Sequence, residues 1–326
     1  MKIAILGAGA LGCTYAAHLA RLGPEVDVVL VVRTLDRAPS RVVAERVSPP
    51  GVTLVLEAPA ATTTVPDDAD VVLLAVRVDQ LAQLGEARLR EIATRGPTDR
   101  IVVPLTPMLP EIRARVADAL GPALVDGMPG VVAYAPAGGA MAPAGELHLR
   151  YWTPKSSPTA LEARPDDAAR DAKVRALQAA LVKAGVPAHV ARGVHATNQA
   201  TTIAMFPLLL AIAAAGGSID ALLADGALLK LALAATKEAR AVAKPVGELA
   251  GFASILLSFA GTFTLRAGMK IVRSRAPEAL TFLERHFGGK LKGQNRVMLE
   301  AILRLAEAHR LEVASLRALA GRAGIS

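Results

Sequence analysis

The rhythm of hydrophobic positions changes once along the chain. Through the first part, short Val/Ile/Leu runs at residues 2–6, 27–32, 52–57, 70–76, 100–105 and 123–126 alternate with helical patterns such as 11–22, as parallel strands joined by crossover helices do. Residues 127–165 are rich in Gly, Pro and Ser, and their apolar pieces at 130–134 and 146–152 predict β-hairpins at the edge of that sheet. A helix over 171–184 and a strand over 188–191 close the region. After Arg192 the strand signals stop, and helices are predicted over 194–215, 219–243, 246–260, 276–286 and 294–310, punctuated by Gly216-Gly217, Pro245 and Gly288-Gly289. The predicted class is α/β, with a doubly wound parallel sheet over 1–191 and an all-helical domain over 192–326.

Composition agrees with this division. Of 326 residues 52% are hydrophobic and only 3% aromatic, so Ala, Val and Leu form the apolar mass, which suits helices on a buried parallel sheet better than a sandwich. The longest apolar stretch, 203–215, has 13 residues and contains Pro207. A bilayer asks for about 20, so the expectation is a buried helix and no membrane partner. Cys13 is the single cysteine, which excludes an internal disulfide, and the expected compartment is the cytoplasm. The six histidines show no metal-ligand spacing, no metal is expected, and nothing resembles a GxSxG nucleophile elbow.

The net charge of +8 is unevenly spread: residues 1–190 hold 20 Lys+Arg and 20 Asp+Glu, residues 191–326 hold 17 and 9. The excess is densest over 266–296, where eight Lys and Arg face only Glu278 and Glu284. That stretch has no nucleic-acid motif, and a solvated helical face or a small anion suits it better than nucleic acid.

Gly7-Ala8-Gly9-Ala10-Leu11-Gly12 follows the first strand and opens the first helix, the context in which GxGxxG signifies a dinucleotide site in a Rossmann-type domain. Gly7 permits the tight turn, Gly9 lets backbone approach a pyrophosphate, and Gly12 lets helix pack on strand. An NAD enzyme places an acid at the end of the second strand; here the strand ends Val31-Val32-Arg33 and no carboxylate appears before Asp36. A cation there suits the 2′-phosphate of NADP(H). Arg77, after the strand 70–76, is placed either to contact ribose or phosphate or to cap the next helix.

At this point the sequence resembles the ketopantoate reductase family, NADPH-dependent enzymes with a Rossmann domain followed by a helical one. The opening 2–23 is similar, Arg33 falls at the family's 2′-phosphate position, and Val76-Arg77-Val78-Asp79-Gln80 resembles the stretch that carries a Lys and a nearby Gln. The resemblance implies cofactor contacts at Val76, Arg77, Gln80 and Thr106, the last in place of the family's Asn-Gly. It also implies a helical domain for substrate binding or dimerisation, a homodimer being one arrangement open to it. In the catalytic half the family's pattern is absent. Its Lys and two Asn fall, counting from Pro207, at Asn198, Thr202 and Phe206, and its Glu falls near Gln294.

Reduction of a ketone leaves an alkoxide that needs a proton, which Asn198 cannot supply. Ketopantoate is therefore a poor substrate expectation. Asparagine occurs only twice, at Asn198 and Asn295, both beside the implied active positions, as substrate contacts or as helix-packing and capping groups. On the helix from 194, His195, Asn198, Gln199 and Thr202 share one face, and His195 is the first candidate donor, histidine being the side-chain type whose charge changes near neutrality. Lys270 and Lys292 compete with it, and Lys290 and Arg296 are candidate anchors for a substrate anion. The expectation is an NADP(H)-dependent reductase of a carbonyl or imine on a small anionic substrate, EC 1.1.1-like; the alternative is a non-catalytic NADP(H) sensor or assembly protein.

Overall fold

The computed structural model describes residues 1–136, 145–258, 261–275, 277–287 and 292–325. Contacts divide the chain into one unit of Met1–Thr106 and Ile112–His195 and a second of Pro107–Glu111 and Ala196–Ser326. The second unit thus opens four residues beyond the boundary expected from the end of the strand pattern, and it also takes a short segment from within the first.

In the first unit the elements run β1 (Lys2–Leu6), α1 (Ala10–Leu19), β2 (Asp27–Val31), β3 (Arg41–Ser48), β4 (Thr53–Glu57), β5 (Ala61–Thr62), β6 (Val71–Leu74), α2 (Val78–Thr94), β7 (Ile101–Pro104), α3 (Pro110–Leu120, whose first two residues belong to the second unit), β8 (Gly127–Met128), β9 (Val132–Tyr134), β10 (Glu146–Trp152), β11 (Thr159–Glu162), α4 (Ala168–Lys183) and β12 (Ala188–Ala191). The central sheet has the order β5-β2-β1-β6-β7 with every neighbouring pair parallel. The chain leaves β1 towards β2 and later returns to β1's other side as β6. A doubly wound sheet binds its ligands at that reversal, beyond the carboxyl ends of the strands. β1, β6 and β7 are buried on both faces, which is why they read as unbroken apolar runs.

Three sequence expectations need correction. Residues 52–57 do not join the parallel sheet: β4 pairs antiparallel with β3, which the pattern missed. Its burial alternates, as suits a strand with one buried face, and the tight connection through Gly51, at φ +96°, is too short for a parallel crossover. Residues 146–152 are not at the edge of the parallel sheet either. β10 lies within a separate sheet of order β4-β3-β10-β9, parallel to β3 and antiparallel to β9. Residues 123–126 make only an isolated parallel bridge, Val102 to Leu124, and 159–162 form a strand the pattern did not show, in a third sheet of order β12-β11-β8.

α1 is apolar nearly all round because both sides are covered: Cys13, Tyr15, Ala16 and Leu19 are fully buried, and the core also takes Tyr151 and Leu161. Burial pushes the Cys13 thiol up to about 12, so it is packing material and no nucleophile. His18 is buried with it. Its Nδ1–H donates to the Ala184 carbonyl at 2.9 Å, its ring stands perpendicular to Tyr151 at 5.1 Å, and its Nε2 is without a partner among the described residues.

Desolvation, helped by Arg21 and Arg46, lowers the pKa of His18 below its ordinary 6.5. The unfolded chain therefore takes up a proton first as pH falls. Full stability lies above pH ~6.5 and is lost below it. The urea midpoint is expected to drop between pH 7.5 and pH 5, above the range where most carboxylates titrate, and to drop less in His18→Gln.

The second unit, among its described residues, holds only helices: α5 (Val194–Ala214, begun in the first unit), α6 (Ile219–Ala224), α7 (Gly226–Ala243), α8 (Gly251–Ser258), α9 (Thr262–Arg275), α10 (Pro277–Phe287), α11 (Lys292–Ala308) and α12 (Ala314–Arg322). The single helix expected over 219–243 is two, because Asp225 leaves the helical conformation and accepts from the Leu228 N–H at 2.8 Å as the cap of α7. The helix expected from 246 starts at Gly251, and α9 and α12 were not anticipated. α5 is long and apolar enough to cross a membrane by length and composition, yet 56% of its most apolar window is buried inside the protein. Ile203, Ala204, Leu210 and Ala211 are fully buried, as in a core helix.

Candidate functional site

The turn from β1 into α1 is built by glycine. Gly7 has φ +115°, and a Cβ on it would lie 2.6 Å from the Ala75 carbonyl oxygen. A Cβ on Gly12 would lie 2.0 Å from the Gly7 carbonyl oxygen and 3.2 Å from the Ala75 Cβ. These two glycines let α1 start against the ends of β1 and β6. Gly9 differs: it is exposed, and nothing lies within 4 Å of where its Cβ would be.

Gly9 is also the residue before the first turn of α1, and it offers no side-chain cap; the first turn contains no acidic residue. The first backbone N–H groups of a helix lack partners within it, and the dipole makes that end positive. Gly9, flanked by the partly buried Ala8, Ala10 and Leu11, thus borders open space at an anion-attracting end, which fits a pyrophosphate.

Around this loop lie the carboxyl ends of the other strands, tied in register by Gly7 N–H to Val31 O at 3.2 Å, Ala75 N–H to Leu6 O at 2.8 Å and Leu105 N–H to Leu74 O at 2.9 Å. Arg33, just beyond β2, is exposed, and its guanidinium has no partner among the described residues. Thr106, past the end of β7, is buried.

The segment from Val76 is differently arranged from what the cofactor reading asks. Arg77 grips Asp79 with two bonds of 3.0 Å, and its backbone N–H donates to the Gln80 Oε1 at 3.2 Å. The fork holds the Asp79 carboxyl below the usual carboxylate range. Both polar side chains therefore secure the start of α2, the capping alternative left open by the sequence, and Arg33 carries an unpartnered positive charge just beyond β2.

His195, the last residue of the first unit, stands at the start of α5 with its side chain 37% exposed. Its Nδ1 lies 3.3 Å from Glu162 Oε2. The same carboxylate accepts the backbone N–H groups of Gly193 at 2.6 Å and His195 at 3.2 Å. Asp126 is adjacent, and the donor atoms of Asp126, Glu162 and His195 lie within 4.8 Å of one another. A cation is already seated there: Arg113 bonds both Asp126 oxygens, through Nε at 3.0 and 3.2 Å and Nη2 at 2.8 Å. Sequence reasoning found His195 but neither Glu162 nor Asp126, because no spacing along the chain links either of them to it.

The other expected residues belong to the second unit. Asn198 and Gln199 are buried, and Thr202 Oγ1 donates to Asn198 Oδ1 at 3.4 Å, so that part of the polar stripe is one hydrogen-bonded group. Asn295 is buried on α11, Gln294 is half-buried beside it, and Lys270 is exposed on α9. Lys290 and the Lys292 side chain lie outside the described residues. Arg296 is exposed.

A parallel sheet of this order, reversed at a glycine turn that leaves room at a helix start, defines a Rossmann-type domain, here followed by a helical unit. More narrowly, residues 3–105 match the family model of ketopantoate reductase PanE/ApbA, in keeping with the resemblance read from the sequence. No curated protein matches the chain by sequence.

Among solved structures, the chain is similar to a 2-dehydropantoate 2-reductase from Geobacter metallireducens (18% identity, 99% of each chain covered, TM-score 0.67). It is likewise similar to a dimeric ketopantoate reductase from Staphylococcus aureus (11%, 99% and 98%, 0.64) and to a D-mandelate dehydrogenase solved with NADH and anilino(oxo)acetate (17%, 99% and 97%, 0.60). At these identities the shared property is the fold.

Proposed function

We propose that the protein is an NADP(H)-dependent reductase of the ketopantoate reductase type, acting on the carbonyl or imine of a small anionic substrate other than ketopantoate. The observation that carries this reading is the open glycine cradle at Gly9 with the unpartnered Arg33 on the same sheet edge. The backbone N–H groups at the start of α1 would hold the pyrophosphate, and Arg33 the 2′-phosphate, whose charge and geometry match a guanidinium. When bound, the nicotinamide supplies a hydride. His195, in place of the family's lysine, supplies the proton. The similarity to a D-mandelate dehydrogenase and to ketopantoate reductases directs attention to 2-oxo acids.

Calorimetric titration tests the first half of this reading. NADPH is expected to bind at least about tenfold more tightly than NADH. Arg33→Asp is expected to cost NADPH roughly 10–100-fold in affinity, about 1.4–2.7 kcal/mol, and to leave NADH within a few-fold. Equal losses for both coenzymes would remove Arg33 from 2′-phosphate recognition.

A second reading, a nucleotide-binding protein without turnover, is favoured by one observation: the helix position where the family's second Asn would stand holds Phe206, which is only 3% exposed and cannot touch a polar substrate. NADPH binding without oxidation across a panel of 2-oxo acids and imines would select it.

A further inference from the structure

His195 stands at the amino end of α5, where backbone N–H groups lack partners within the helix. A single carboxylate meets both the ring and those groups. Glu162 receives the two backbone N–H groups of that helix start and lies against Nδ1 of the ring, leaving Nε2 as the nitrogen free to work on a ligand. Glu162 is itself fixed by β11, whose last residue it is, with its backbone N–H on the Asp126 carbonyl at 2.8 Å.

The place of this pair follows from the first unit's own topology. Residues 124–126 run parallel beside β7, through the Val102–Leu124 bridge and the Val125 N–H on Val102 O at 3.0 Å. Asp126 is thereby level with Pro104. Gly127 then fits against the Pro104 carbonyl so closely that a Cβ would lie 3.1 Å from its oxygen. Glu162 and His195 accordingly belong to the carboxyl edge of the parallel sheet, the edge that carries the glycine turn, Arg33 and Thr106. The neighbouring charges are Asp126 and Arg113, which are joined to each other, with Arg113 also in electrostatic reach of Glu162; Glu162 is the carboxylate that meets the His195 ring.

We infer that Glu162 is the positioning residue of a His195–Glu162 proton-donating pair, an inference that rests on the reductase reading above. Glu162 accepts from Nδ1–H and fixes the ring, so that Nε2–H faces the reacting oxygen. The carbonyl carbon accepts the hydride, the C=O π electrons move to oxygen, and that oxygen takes the Nε2 proton. His195 is left neutral with Nδ1–H on Glu162, and water recharges it through its exposed side. The overall change is carbonyl, NADPH and one proton to alcohol and NADP⁺.

Two measurements test the pair. In nitrogen-15 NMR of the protein without coenzyme, neutral His195 is expected to carry its proton on Nδ1, and in Glu162→Ala to shift towards the Nε2–H form. With NADPH and whichever of 2-dehydropantoate, phenylglyoxylate and pyruvate is reduced, Glu162→Gln keeps an oxygen for the helix-start N–H groups but removes the charge. It is expected to lower kcat about 100-fold, within the range of general acid catalysis, with KM within about twofold; Glu162→Asp is expected to restore part of the loss.

An unchanged tautomer in Glu162→Ala, or a wild-type kcat in Glu162→Gln, would overturn the pairing. If the wild type binds NADPH and consumes none with any of the three, the reductase reading falls and the donor role with it, whereas the tautomer comparison still reports whether Glu162 orients the ring.

Discussion

Gly12→Ala is expected to disable the nucleotide site outright. The new methyl would sit 2.0 Å from the Gly7 carbonyl oxygen, a backbone atom that cannot swing aside, and 3.2 Å from Ala75. Either α1 lifts from β1 and β6 or the Gly7 turn opens, and both displace the N–H groups that face the ligand. Overpacking of this kind costs roughly 2–4 kcal/mol of stability. NADPH affinity is expected to fall at least about 100-fold, or 2.7 kcal/mol. Thermal unfolding and calorimetry of the same sample check both values. Gly9→Ala is the informative contrast. It meets nothing within 4 Å in the protein, so it should fold normally and weaken binding only by crowding the ligand. If Gly9→Ala bound NADPH as wild type does, the open space at Gly9 would not be where the pyrophosphate lies.

The largest loss of stability is expected far from any ligand, at Arg100. This side chain is 1% exposed and spends its guanidinium on backbone carbonyls: Nε on Ala69 at 2.8 Å, Nη1 on Ile92 at 2.7 Å and on Arg95, and Nη2 on Pro66 and Asp67 at 2.9 Å each. It ties the last turn of α2 to the loop that feeds β6. Gly96 is required beside it, since a Cβ there would lie 1.9 Å from Nη2. Arg100→Met fills similar volume but leaves five carbonyls without this donor. The expected cost is roughly 3–5 kcal/mol, read as a fall in the urea midpoint at unchanged slope. Arg100→Lys should recover only part, because an ammonium is a point donor and cannot span acceptors on three sides.

Arg100 also illustrates what the sequence concealed. A lone arginine before an apolar strand looks like a strand-end charge, and nothing local reports that the carbonyls of 66–69 and 92–95 converge on it. The nucleotide turn was legible for the opposite reason. Gly7, Gly9 and Gly12 are fixed by steric demands within a few residues of chain, and those demands leave their mark as a spacing. The parallel strands β1, β6 and β7 were legible because burial on both faces removes polar residues from them, whereas the two-residue β5 left no such run.

β3 was not legible, since Arg41 and Glu45 interrupt its apolar positions as one exposed face requires. Nor was the partner of His195: Glu162 lies 33 residues away, and only the pairing of β11 with β12 brings it there. Arg77 and Gln80 show the converse, a spacing that suits a ligand and a helix cap equally well until the side chains are seen.

The passage of Pro107–Glu111 into the second unit bears on how that unit can be isolated. Leu109, Pro110 and Glu111 line a cavity with Ala301, Arg304, Leu305 and Ala308 of α11, Arg304 meets Glu111 at 2.6 Å, and Met108 and Leu109 are buried. A truncated polypeptide starting at Ala196 would therefore emerge with a missing wall and with Arg304 left only its longer contact to Glu300. Grafting the five-residue segment back through a short linker is the natural way to obtain a self-sufficient helical body.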